Sequence, residues 1–336
     1  MLVDGYNRPV RDLRISVTDR CNFRCAYCMP QDEYEWIDKK EILTFEEIAR
    51  LVKLFIQAGV DKVRLTGGEP LVRRELHLLI AKLSRLEGLN DLCLTTNGSL
   101  LAEQIPALKE AGLKRINISI DTLDAEKFKR ITKRGDLARV LEGLFAAKKS
   151  GFDPIKINAV VERGVNDDDI LSLVEFSREN GIAIRFIEYM DVGNSNNWTS
   201  EKLVSKKEII ETIQARYPLR EVGRAQGSAP SVDYEFIDGK GEVGIVASVT
   251  EPFCSSCTRA RLTADGKLVT CLFSQVGYDL KVLMRNGATD EEISERIGSL
   301  WKKRKDRYSD ERLEALLSST YDPKSHKKIE MITLGG

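Results

Sequence analysis

The sequence predicts an α/β fold: an incomplete (β/α)6 barrel of the TIM type, followed by a C-terminal region with a second group of cysteines. Three observations carry this prediction. Six short β-rich runs alternate with helical patterns between residues 14 and 190, as parallel β/α units require. Four of those runs keep one face polar. After Met190 the alternation stops, and short strand-like runs with Gly-rich turns replace it.

The strand candidates are RISVT (14–18), KVRLT (62–66), LCLTT (92–96), RINISI (115–120), PIKINAVV (154–161) and AIRFIEYM (183–190). The helix after the first begins at TFEE, where Thr44 and Glu47 form a capping box, and ends at the cap position Gly59. GDLARVLEGLFAAKKSG closes on two lysines and a glycine, as a helix C-terminus does. A doubly wound sheet would show the same alternation, so the strand faces decide. Residues two apart share a face: Arg14 with Ser16 and Thr18, Arg64 with Thr66, Asn117 with Ser119 and Asp121, Lys156 with Asn158. A doubly covered parallel sheet is apolar on both faces, and a packed barrel fills its lumen with branched apolar side chains. Polar, partly cationic faces on four strands fit an open barrel that takes a polar ligand, because burying such groups unpaired is costly.

Beyond Met190, DVGNSNNWTS reads as a polar loop, SKKEIIETIQARY as a helix, residues 219–250 as short strands, and 289–318 as a final helical segment. The expected domains are a barrel over 5–222 and a C-terminal region over 223–336. The basic run KKRKDR (302–307) reads as a solvated helix face rather than a nucleic-acid site.

The 336 residues are 42% hydrophobic and 31% charged, with 52 basic and 52 acidic side chains. Zero net charge gives no support to a nucleic-acid or acidic-membrane partner. No run approaches the ~18 apolar residues of a membrane span, and MLVDGYNRPVRD has no apolar leader, so a cytoplasmic protein is expected. Seven cysteines, an odd number, point to metal or redox chemistry rather than disulfides. The two histidines, His77 and His326, stand beside no nucleophile motif, which argues against Ser–His or Cys–His catalysis.

The stretch TDRCNFRCAYCMP gathers Cys21, Cys25 and Cys28 with no fourth thiol nearby. Structural zinc normally takes four protein ligands. Three thiolates can hold three irons of a 4Fe–4S cubane, which leaves the fourth iron open to a small molecule. PFCSSCTRARLTADGKLVTCLF repeats the pattern with Cys254, Cys257 and Cys271. A second open cluster is the preferred reading there, and a zinc ribbon completed by Cys93 is the alternative. Arg259 and Arg261, if extended, lie on one side and form an anionic clamp.

CNFRCAYC followed by LTGGEPLVRR (65–74) resembles the radical S-adenosylmethionine superfamily. From RDLRISVTDRCNFRCAYCMP through FCSSCTRARLTADGKLVTCLF to Gly335–Gly336, the chain is similar to the GTP 3′,8-cyclases of molybdenum cofactor biosynthesis, with no departure at any motif position. The resemblance implies two 4Fe–4S clusters, one on Cys21, Cys25 and Cys28 and one on Cys254, Cys257 and Cys271. It implies S-adenosylmethionine contacts at Tyr27, Gly68, Ser119 and Met190, and GTP contacts at Arg14, Arg64, Thr95, Lys156, Arg259, Ala260 and Arg261. The implied activity is that of a lyase: an adenosyl radical takes hydrogen from the ribose 3′ carbon, the resulting carbon radical attacks guanine C8, and reduction by one electron with protonation yields (8S)-3′,8-cyclo-7,8-dihydroguanosine 5′-triphosphate.

Arg259 and Arg261 are candidates for aiding reduction or protonation of the cyclised intermediate. Gly335 and Gly336 are implied to enter the site, with ordinary terminal disorder as the plain alternative. Arg73 and Arg74 are left outside it. The implied partners are an electron donor and the next enzyme, cyclic pyranopterin monophosphate synthase, and the chain is expected as a monomer or homodimer. The rival functions are another radical S-adenosylmethionine enzyme with an auxiliary cluster, and a zinc-dependent nucleic-acid-binding protein.

Overall fold

The computed structural model describes residues 2–335. Six parallel strands, β1 (Asp12–Ser16), β2 (Lys62–Thr66), β3 (Asp91–Thr96), β4 (Arg115–Ser119), β5 (Ile155–Val161) and β6 (Ala183–Glu188), stand side by side in chain order. Helices α1 (Phe45–Ala58), α2 (Leu76–Ser84), α3 (Leu101–Glu110), α4 (Ala125–Thr132), α5 (Leu137–Lys149) and α6 (Ile170–Asn180) make the crossovers, and α7 (Lys206–Gln214) follows β6. The capping box of Thr44 and Glu47 is formed, and Gly59 caps α1 in the left-handed region at φ 118°. One face of each strand supplies the core. Leu13, Ile15, Val63, Leu65, Ile116, Ile118, Ile157 and Ala159 are buried against Ile48, Leu51, Phe55 and Leu79 of the helices. Each large apolar side chain so buried contributes ~1.5–3 kcal/mol.

The six-stranded barrel wall does not close on itself, and its two edges are not bare. β9 (Glu242–Val246) runs parallel to β6, and β10 (Arg259–Leu262) runs parallel to β1. Beyond them lie β7 (Leu219–Gly223) with β8 (Val232–Phe236), and β11 (Lys267–Val269) with β12 (Tyr278–Asp279), all antiparallel. The result is a continuous 12-stranded sheet. The division expected at 222–223 falls inside β7.

Local departures from the sequence reading have physical causes. β1 starts at Asp12, two residues before RISVT, because Asp12 finds partners in both Lys62 and Arg259. It stops at Ser16 because the Thr18 carbonyl accepts from Gly68 N instead (2.7 Å). The final helical segment is not continuous. α8 (Leu280–Arg285) precedes α9 (Asp290–Lys302), the helix is interrupted at 303–307, and α10 (Tyr308–Leu317) and α11 (Met331–Leu334) follow.

Candidate active site

The first cysteine loop is held by backbone from three directions. Gly68 N and Glu69 N donate to the carbonyls of Thr18 (2.7 Å) and Arg20 (2.8 Å). A Cβ at Gly68 would collide with the Arg20 carbonyl, so only glycine allows this approach. Within the loop, Cys28 N (3.0 Å) and Met29 N (2.7 Å) both donate to the Cys25 carbonyl. Buried Arg24 donates from Nη1 to the carbonyls of Cys21 and Phe23, at 2.8 Å each. Its own amide donates to Thr132 at the end of α4.

Cys21, Cys25 and Cys28 are half-buried and unbridged. Burial pushes the Cys21 thiol up to about 11 and Cys28 to about 12, and raises Cys25 well above its ordinary value. Three such thiols become thiolates together only with a compensating cationic centre, and an all-thiolate donor set suits iron–sulfur chemistry. Two buried carboxyls flank the loop. Glu69, 1% exposed, accepts from Leu71 N (3.0 Å), Thr96 Oγ1 (2.7 Å) and Asn97 N (2.7 Å), and burial raises it to about 7. Asp121 accepts from Tyr27 OH (2.8 Å) and Val160 N (2.9 Å), and burial raises it to about 6. A 310 Å³ cavity opens beside Tyr27, Asp121 and Val160.

The polar strand faces meet in the lumen. Register puts Arg261, Arg14, Arg64, Cys93 and Arg115 in one row across five strands. Thr95, Asn117 and Lys156 form a second row, and Ser119, Asn158 and Arg185 a third. Burial lowers the pKa of Arg14, and the charges of Arg64 and Arg261 lower it further. Burial and then Arg259 bring Arg261 to about 10. The Nε atoms of Arg14, Arg64 and Arg185 are buried without a protein partner. So many crowded guanidinium groups are a prepared anion site.

Lys156 is paired with Glu242 of β9 at 2.7 Å. Ala260 buries its methyl in the outer core opposite Leu13, so it faces the lumen through its main chain alone. Arg115 and Arg185 are lumen residues that the sequence reading missed. The signal was present in the same alternation, two residues before Asn117 and within AIRFIEYM.

The second trio lines one cavity with Met190, Phe253, Arg259, Arg261 and Arg304. Cys254 and Cys257 lie in the crossing from β9 to β10, and Cys271 follows β11. Arg259 (Nη2) and Arg304 (Nη2) each donate to Cys257 Sγ at 3.2 Å. Burial alone would raise this thiol, but the two guanidinium charges outweigh it and bring Cys257 down to about 6. Burial pushes Cys271 up to about 12.

One expectation is corrected. KKRKDR is only partly a solvated face: Lys302, Lys303 and Lys305 are exposed, but the helix breaks after Lys302, and Arg304, 4% exposed, turns in to the cysteines because Asp4 and Asp306 receive its charge. Cys93 does not complete the trio. It faces the lumen between Arg64 and Arg115, with Asn117 Nδ2 at 3.4 Å. Arg73, left outside the site, clamps the loop's approach by donating to the carbonyls of Val17 and Leu43, both at 2.7 Å.

The C-terminal tail reaches both centres. The Gly335 carbonyl accepts from Arg261 Nη1 at 3.0 Å, and a Cβ on Gly335 would stand 2.7 Å from Thr66 Cγ2 and 2.9 Å from Gly67 N. Gly336 lies outside the described residues. Upstream, buried Asp191 anchors the segment through Arg312, Tyr321, Tyr308 (2.6 Å) and Lys328 (2.8 Å). Met190 and Tyr27 pack on one small cluster of Tyr189, Trp198 and Val249, which joins the first loop to the second cavity. Ser119 stands on the lumen face level with Asn158.

Comparison with known proteins agrees with this layout. Residues 15–177 match the family model of the Radical SAM superfamily, and 182–310 that of Molybdenum Cofactor Synthesis C. The chain is 47% identical over 337 residues to the GTP 3′,8-cyclase of Xanthomonas axonopodis pv. citri (strain 306), covering 99% of this chain and 98% of that one. It is 46% identical over 341 residues to the GTP 3′,8-cyclase of Staphylococcus saprophyticus, covering 100% and 99%. Among solved structures, Streptococcus suis SuiB bound to S-adenosylmethionine superposes with a TM-score of 0.60 at 15% identity, over 97% of this chain and 77% of that one. That likeness speaks for the fold alone. On full-length identity and both family models, the chain belongs to the GTP 3′,8-cyclase family of the Radical SAM superfamily.

Proposed function

We propose that this chain converts GTP to (8S)-3′,8-cyclo-7,8-dihydroguanosine 5′-triphosphate, the first step of molybdenum cofactor biosynthesis. One observation carries the reading most strongly. Arg261 stands in the lumen row with Arg14 and Arg64, lines the cavity of the second cysteine trio, and holds Gly335 against the end of β2. That placement supports a reading in which the two cysteine trios flank an anion-binding middle.

In this reading Cys21, Cys25 and Cys28 hold one 4Fe–4S cluster, and Cys254, Cys257 and Cys271 the other. Tyr27, Gly68, Ser119 and Met190 contact S-adenosylmethionine. When bound there, the first cluster and S-adenosylmethionine would supply radical chemistry at the ribose 3′ carbon of GTP, and an external donor the electron that the cyclised product requires. The chain's residues bind, orient and enclose. Arg14, Arg64 and Lys156 take the nucleotide's anionic groups, with Arg115 and Arg185 beside them, and Lys156 exchanges Glu242 for phosphate. Thr95 and the main chain of Ala260 lie along the same wall. Arg259, Arg261 and the Gly335–Gly336 tail crowd the reacting nucleotide and exclude water, which protects a reactive radical.

Functionally, residues 5–222 form the radical core and 223–336 the region of the second centre. An external electron donor and a downstream cyclic pyranopterin monophosphate synthase complete the proposal, with the chain acting in the cytoplasm as a monomer or homodimer. Among the described residues, no helix is long and apolar enough to cross a membrane. Anaerobic reconstitution followed by incubation with GTP, S-adenosylmethionine and dithionite tests the reading. It should give about eight irons per chain, 5′-deoxyadenosine and a cyclised nucleotide. Iron loading without a GTP-derived product would reject it.

A further inference from the structure

Cys257 differs from its two companions in what it receives. The backbone amides of Ser309 and Asp310 lie near Cys254, and that of Phe273 near Cys271. Cys257 Sγ accepts from two guanidinium groups, Arg259 (Nη2 3.2 Å, Nε 3.4 Å) and Arg304 (Nη2 3.2 Å). The two arginines are not equivalent. Arg259 sits on the lumen face of β10, level with Asp12 of β1, where an anionic nucleotide competes for it. Arg304 is fixed behind the cysteines: Nη1 donates to the Cys257 carbonyl (2.8 Å) and faces Asp4 Oδ2 (3.4 Å), and Nε faces Asp306 (3.2 Å). Its side chain is 1% exposed and that of Asp4 0%. Arg8 extends the frame by bonding Asp4 (2.6 Å) and donating to the Cys254 carbonyl (2.7 Å).

We propose that Arg304 is a positioning residue that sets the reduction potential of the second cluster, by holding a permanent positive charge on the Cys257 thiolate while Arg259 turns to the substrate. This rests on the reading that Cys254, Cys257 and Cys271 carry a 4Fe–4S cluster. One-electron reduction, with the electron from an external low-potential donor and no proton taken up, adds one negative charge to the cluster and its thiolates. Hydrogen bonds to the ligating sulfurs and a nearby cation stabilise that added charge and raise the potential. The effect is strong in a buried site of low dielectric. The sulfur that carries both arginines keeps one of them whatever the nucleotide does.

The test is a redox titration of the anaerobically purified holoenzyme followed by electron paramagnetic resonance. Chains with either cysteine trio replaced by alanine provide the separate cluster spectra. In Arg304→Lys the compact ammonium stays near Asp4 but cannot also reach Cys257 Sγ, and in Arg304→Gln the charge is gone. Arg304→Gln should lower the second cluster's reduced-to-oxidised ratio at fixed potential about tenfold, equal to about 59 mV for one electron, and Arg304→Lys should lower it by less. The first cluster should not move. Asp4→Asn removes the ion pair but leaves the bond to Cys257, so it should lower thermal stability and spare the potential. An unmoved potential in both Arg304 variants, or an equal shift in Asp4→Asn, overturns the tuning role. Wild-type iron near four per chain overturns the second cluster itself, and the tuning with it.

Discussion

Arg261 Nη1 donates to the Gly335 carbonyl at 3.0 Å, which ties the last described residue of the chain to the centre of the lumen. Gly335 holds φ 71° and has no room for a methyl beside Thr66 and Gly67. Gly335→Ala should therefore displace the tail, and a lost charge-assisted bond is worth ~1.5–3 kcal/mol. Cyclised product should fall roughly 10- to 100-fold while iron content stays level. Deleting Gly335 and Gly336 should abolish turnover with both clusters loaded. Single-turnover product analysis beside iron assay checks both.

Asp191 is the anchor of the same tail. Burial would raise its carboxyl, but Arg312 and Lys328 outweigh that and hold it well below the usual carboxylate range. A depressed acid stabilises the fold above its unfolded pKa, ~3.9, and the contribution fades only as pH falls through the lower folded value. Anchoring should thus be constant from pH 8 to 5. Asp191→Ala leaves two buried cations unpaired and should cost ~3–5 kcal/mol. A lower melting temperature and faster proteolysis near residues 318–330 would register it.

Glu69 titrates in the opposite sense. Its folded pKa is raised to about 7 by burial, so its contribution is complete below the unfolded value of ~4.3 and is lost as pH rises through 7. Without S-adenosylmethionine, stability should decline from pH 5 to 7.5 by roughly 3 kcal/mol, at about 1.4 kcal/mol per unit. Glu69→Gln should flatten that slope. Melting curves at the two pH values decide it.

Arg14 should show opposed effects on stability and binding. It is buried, repelled by Arg64 and Arg261, and its Nε lacks a protein partner. Arg14→Met should raise the melting temperature of the nucleotide-free protein. It should also abolish most of the stabilisation that added GTP confers, with affinity roughly 10- to 100-fold weaker. Thermal shift with and without GTP reads both signs in one experiment.

The chemistry was legible where it depended on neighbours in sequence. Cysteine spacing marked both trios, and two-residue alternation put Arg14, Arg64 and Lys156 on one face. Arg115 and Arg185 obey the same alternation, but only the register with β3 and β5 sets them beside the others. Arg304 was hidden because a basic run in a helical context reads as solvated. Its partner Asp4 is 300 residues away, and no local pattern reports such a pairing. The placement of β9 and β10 was equally silent, since strand partners that far apart leave no trace in periodicity.

Those two strands have a consequence for how the chain can be divided. β6, with β9 beside it, lies along β5, and β10 lies along β1, so the later part of the chain supplies a flank to each side of the earlier part. The seam between the two family models, between residues 177 and 182, is a boundary of inheritance and not of autonomy. A fragment cut there would carry two raw backbone edges, invitations to pair with any other chain. One of them belongs to the strand that delivers Cys21, so neither piece should persist well until its complement arrives.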